Sequence, residues 1–185
     1  MDAATRVEIE RRSCGPLTPS YTIGITAHGR GFVTLAERLV AAAWEKDETF
    51  GIARMVNPET GIAVALCSGD GDVGLASGRP RSKCPHGVGA ATFVKHNEQM
   101  EIPFPGRPRT EAAPPCKTYW LMTHSNGKDV LRAELSLPVG VDDENYFSIW
   151  HERVILDMPP VDSLAGRRVV EDEPLDIVVN IRPKI

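Results

Sequence analysis

The chain has 185 residues, with 21 Lys and Arg against 25 Asp and Glu, a formal net charge of −4. Apolar residues make up 42% and charged residues 25%, which excludes a disordered chain, a collagenous one and a globally basic nucleic-acid coat. The length corresponds to one domain over 1–185, with an internal seam expected near 98–117. The chain has 16 Gly and 15 Pro, above the usual combined share of ~12%. With only 6% aromatics, an aliphatic core under long loops is expected.

No run approaches the ~20 apolar residues of a membrane span. The charged start, Met1 to Arg6, has no apolar segment after it. Cys14, Cys67, Cys84 and Cys116 fit neither a disulfide framework nor a zinc spacing. A reduced, cytoplasmic protein with no membrane association and no cofactor is the expectation.

In chain order, the first twenty residues read as a lead-in. Tyr21 to Thr26 alternates like a half-buried strand, and His28-Gly29-Arg30-Gly31 breaks it. Phe32, Leu35, Ala36, Leu39, Val40, Ala43 and Trp44 recur at three- and four-residue steps. That spacing predicts one main amphipathic helix over 32–47. Phe50 to Val56 and Ile62 to Cys67 read as a hairpin around Asn57-Pro58-Glu59-Thr60-Gly61. The span 68–89 carries six glycines with Pro80 and Pro85, a long loop of the kind that is commonly functional. A short helix is expected over 88–97, then a Pro-rich connector from Glu101 to Pro115.

Thr118 to His124 and Asp129 to Leu137 flank Asn126-Gly127, the strongest short hairpin signal. Leu131, Ala133, Leu135 and Leu137 are expected on the buried face, with Arg132, Glu134 and Ser136 outward. After the acidic turn Asp142 to Asn145, strands are expected at 146–156 and 175–181. Trp120, Trp150, Phe147 and Tyr146 are assigned to the core. The expected class is α+β: a mostly antiparallel sheet, one main helix and long Gly/Pro-rich loops.

Four groups of residues could carry chemistry. His28, Gly29, Arg30 and Gly31 stand at the expected strand-to-helix junction, where free backbone N–H groups attract anions. Gly78-Arg79-Pro80-Arg81 recurs as Gly106-Arg107-Pro108-Arg109. Gly-Arg-Pro is the centre of the minor-groove AT-hook arm, although the Arg that precedes it in that motif is replaced by Ser77 and Pro105. With Lys83, these arginines form a locally basic element on an acidic chain. Cys84 and His86 are candidate nucleophile and base, since cationic neighbours lower a thiol pKa. Cys84, His86 and His96, the acidic pair Asp70 and Asp72, and Asp142-Asp143-Glu144 contain ligand types without a metal-site spacing, so no metal is expected.

The leading expectation is a non-catalytic binding protein or subunit of a larger assembly, of prokaryotic or phage type. Arg79, Arg81, Lys83, Arg107 and Arg109 would meet an acidic partner, either protein or nucleic acid. The alternative is a small enzyme or sensor that binds a phosphorylated or nucleotide-like ligand at 28–31.

Overall fold

The computed structural model describes residues 2–101, 116–127 and 130–160. Three helices, α1 (Ala3–Ser13), α2 (Ser20–Val40) and α3 (Val88–Glu101), accompany one six-stranded sheet. Its strands are β1 (Glu45–Asp47), β2 (Arg54–Asn57), β3 (Ile62–Ser68), β4 (Lys117–Ser125), β5 (Leu131–Val141) and β6 (Phe147–Leu156), in spatial order β1 to β6. All neighbours are antiparallel except β3 and β4, which run parallel. This is the α+β class and mostly antiparallel sheet that the sequence predicts. β3 and β4 adjoin one another although the Pro-rich connector separates them in sequence.

The lead-in contains a helix. Asp2 caps α1, its Oδ1 accepting from the Thr5 N–H at 2.8 Å, and Arg11 and Arg12 occupy the last turn, where cations complement the helix dipole. Its amphipathic pattern is blurred because Glu8 and Glu10 are buried. Each carboxylate is matched by an arginine four residues away, Arg12 and Arg6 respectively.

The expected strand at 21–26 is instead the first part of α2. Thr and Ile in alternation favour a strand only weakly, and tertiary packing decides. Gly31, expected to break the chain, is a packing glycine. A Cβ there would overlap Val7 Cγ2 and approach Leu66 Cδ2 to 3.0 Å, so α2 can lie close to α1 and β3 only without it. The helix also ends earlier than expected. Ala43 takes φ 60°, and Trp44 N donates to Leu39 O at 3.1 Å, a Schellman-type closure. Trp44 then packs against the core and the chain continues as β1.

The sheet is covered on both faces. α1 and α2 pack on Val64, Leu66, Leu121 and Ala133. α3 and the 69–87 loop pack on Ala65, Cys67, Trp120, Met122 and Phe147. Burial on both faces explains why β3 reads as an unbroken apolar run. It also overturns the outward placement of Glu134 and Ser136, both of which are fully buried under the loop. The hairpin at Asn126-Gly127 forms with Trp120 opposite Ser136 and Ser125 opposite Leu131. The earlier hairpin forms over 54–68. Phe50, expected in its first strand, lies in a 3₁₀ turn at φ 56°. The expected strand at 175–181 and most of the connector lie outside the described residues.

Candidate functional site

The single parallel pair singles out one edge of the sheet. In open sheets, ligands bind beyond the carboxyl ends of parallel strands, where the connecting loop leaves. Here that loop is 69–87. It folds back so that Gly69 bridges Ser82, with Lys83 N donating to Ser68 O at 2.9 Å and Asp70 N to Arg81 O at 3.0 Å. On the other side Gly69 N donates to Thr123 O at 2.9 Å. These bonds extend the β3 end and frame a cleft of about 390 Å³ lined by Gly69, Asp70, Arg81, Ser82, Lys83, His124 and Tyr146.

Arg81 is committed internally. Its guanidinium lies 3.9 Å over the Tyr146 ring, with Nε 2.7 Å from Asp142 Oδ2 and Nη2 2.7 Å from Glu144 Oε2. These carboxylates raise the Arg81 pKa, by hydrogen bonding above all. Arg79 and Lys83 are exposed, but Asp70, Asp72, Asp142, Asp143 and Glu144 surround the same loop. Arg107 and Arg109 lie outside the described residues. The described part of the expected basic element is therefore balanced by acids rather than uniformly cationic.

Cys84 and His86 diverge. The Cys84 thiol is exposed, whereas His86 stacks on Phe147 with ring centroids 3.7 Å apart and meets Trp120 at 5.4 Å. Burial pushes the His86 pKa down to about 4, so the ring is neutral in the stack. No hydrogen bond joins Cys84 to His86 among the described residues, and no three His, Cys, Asp or Glu side chains there form a metal-sized group.

The 28–31 segment is not a helix start. His28, Gly29, Arg30 and Gly31 lie in the middle of α2, whose backbone N–H groups are used along the helix; its first residue is Ser20. The anion site expected there loses its donors. What the segment contributes instead is an exposed face. Tyr21, Ile25, Gly29 and Val33 follow at four-residue steps, with Tyr21 and Ile25 71% exposed, Val33 48% and Val40 59%. Leu17, just before the helix, is 95% exposed. A Cβ at Gly24 or Gly29 would meet nothing within 4 Å among the described residues. Arg30 and His28 are exposed beside the row. Crowding and the Arg11 charge hold the His28 pKa below its usual value.

The sequence reading missed this row because it began the helix at 32. The four-residue spacing of Tyr21, Ile25, Gly29 and Val33 was the available signal. Nothing in sequence could place His124 beside Asp70 and Lys83, since their meeting depends on the loop folding back. Comparison with protein-family models, with curated proteins and with solved structures gives no match. Among the described residues no helix is long and apolar enough to cross a membrane.

Proposed function

We propose that the chain is a non-catalytic cytoplasmic binding protein, a subunit that docks a second protein through the outer face of α2. The single observation that carries this reading is the pair of exposed helical glycines, Gly24 and Gly29, set along a row of exposed apolar side chains. Glycine inside a helix costs about 0.5–1 kcal/mol relative to alanine. At Gly31 a close contact within the chain accounts for that cost, while at Gly24 and Gly29 nothing among the described residues does. A closely approaching partner accounts for it, as contiguous exposed apolar surface commonly marks an interface. The partner would carry an apolar ridge matching Tyr21, Ile25 and Val33, with an acidic group opposite Arg30. A protein fits this face better than nucleic acid, because the 69–87 loop mixes its cations with carboxylates and Arg81 is spent on Tyr146, Asp142 and Glu144.

The test is affinity capture from the native host with the full chain and with an Ile25→Asp/Val33→Asp variant of equal thermal stability. A stoichiometric protein retained by the wild type and lost by the variant supports the reading. Equal capture by both, or loss on Arg79→Ala/Lys83→Ala instead, moves the interface to the loop and overturns it.

A further inference from the structure

The cleft at the carboxyl ends of β3 and β4 plays no part in docking through α2, and its polar groups form a specific pattern. Lys83 is exposed and makes no ion pair among the described residues, although Asp70 lines the same cleft. Asp70 accepts the Asp72 N–H through Oδ1 at 3.1 Å and keeps its second oxygen unused. His124 Nδ1 lies 3.3 Å from Gly69 O. A carbonyl only accepts, so Nδ1 donates, and in the neutral ring the lone pair is left on Nε2. Arg81 adds no free charge, for the reasons given above.

The cleft therefore presents one uncommitted cation beside two unused acceptors, the second Asp70 oxygen and, in the neutral ring, His124 Nε2. A bare inorganic anion would satisfy Lys83 and leave the acceptors of Asp70 and His124 without donors. A neutral polyol would satisfy Asp70 and His124 and leave Lys83 unmatched. We propose that this cleft binds a phosphorylated polyol of the sugar-phosphate class, with its phosphate on the Lys83 ammonium and its hydroxyls donating to Asp70 and His124 Nε2. Lysine serves as a point-charge phosphate ligand. The volume, about 390 Å³, lies within the ~300–1,000 Å³ typical of small-molecule sites. The position beyond the only parallel pair in the described sheet is where open sheets place ligands.

The experiment is amide-resolved NMR titration of the full chain with three probes: ribose 5-phosphate, ribose and inorganic phosphate. Ribose 5-phosphate is expected to saturate, with shifts centred on residues 69–70, 81–83 and 124. Each half-ligand is expected to bind about tenfold more weakly or worse, the scale of losing one charge-assisted hydrogen bond. Lys83→Met should weaken ribose 5-phosphate by a similar factor and leave ribose unchanged. Asp70→Asn keeps the acceptor for the Asp72 N–H, so the loop stays formed, and should abolish the preference for ribose 5-phosphate over inorganic phosphate. The inference is overturned if ribose 5-phosphate gives no saturable shifts at millimolar concentration, or if inorganic phosphate binds as tightly. Unchanged binding by Lys83→Met would overturn it as well. None of these outcomes depends on the α2 variants, so the two readings stand or fall separately.

Discussion

Arg153 on β6 reaches across to Glu134 on β5 and engages both of its carboxylate oxygens, Nη2 at 2.7 Å from Oε2 and Nε at 3.0 Å from Oε1. The Gly74 N–H donates to the same carboxylate at 2.8 Å and Ser136 Oγ at 2.7 Å. Arg153 also donates to the carbonyls of Gly78 and Leu75. One ion pair between a buried carboxylate and a partly exposed arginine thus clasps the 69–87 loop to the sheet at three points. Burial alone would raise the Glu134 pKa, but the hydrogen bonds from Arg153, Gly74 and Ser136 hold it below the usual value.

Glu134→Gln leaves Arg153 with a neutral partner and is expected to destabilise the fold by about 3 kcal/mol, the scale of breaking a buried pair. The sign of the pH effect follows from the depressed pKa. Stability from Glu134 is present above the ordinary glutamate value, ~4.3, and is lost as pH falls through the lower folded one. Urea unfolding at pH 7 and pH 3 should show that the variant loses less on acidification than the wild type. An equal acid loss in both would show that Glu134 is not the group responsible.

His86 gives the opposite kind of titration. Its folded pKa, near 4 through burial, lies below the ~6.5 of a free imidazole. Between those values the unfolded chain binds the proton more readily, so stability falls as pH drops from about 6.5 towards 4. His86→Phe keeps an aromatic ring on Phe147 without the titrating nitrogen. Its melting temperature should exceed the wild-type value at pH 5 by more than it does at pH 8, and equal differences at the two values would count against the stack as the pH-sensitive element.

Three glycines of α2 separate packing from exposure. Gly31→Ala forces a Cβ into Val7 and should cost about 1–3 kcal/mol as overpacking. Gly24→Ala and Gly29→Ala meet no described neighbour and should each add about 0.5–1 kcal/mol of helix stability. Gly29→Ala should at the same time weaken capture of the partner. Chemical denaturation of the three single variants checks the signs.

Ala43 ends α2 in the left-handed region, φ 60°, where a Cβ is strained. Ala43→Gly is expected to stabilise by about 0.5–1 kcal/mol. A drop in the denaturation midpoint would mean that the Cβ makes a contact worth more than the strain.

The sheet was the more legible half of the fold. Asn126-Gly127 and the turn at 57–61 announce their hairpins through local chemistry, which neighbouring residues alone can specify. α1 was hidden by Glu8 and Glu10, whose burial depends on Arg12 and Arg6 forming pairs that hydropathy does not register. Glu134 misled for the same reason: alternation assigns a charged residue to solvent unless an arginine from another strand meets it. In α2, Gly29 and Gly31 look alike in sequence, and only the position of Val7 distinguishes a packing glycine from an exposed one. The Arg79 and Arg81 pair shows the limit for the basic loop, because Asp142 and Glu144 reach Arg81 from more than sixty positions away.

The parallel register of β3 and β4 also fixes how this chain assembles in time. Every other strand pair is joined by a short connection, so 45–68 and 117–156 can each form as a local meander. Ile62 meets Lys117 and Ser68 meets Thr123 only after a long stretch of chain has been closed, and that closure is the entropically expensive step. Substitutions that loosen the β3–β4 seam, such as Leu121→Ala, should therefore slow folding, while those in β1 or β6 should mainly speed unfolding. Stopped-flow chevrons of the two sets would separate them, and the proposed ligand cleft, built on that same seam, would be among the last features to exist.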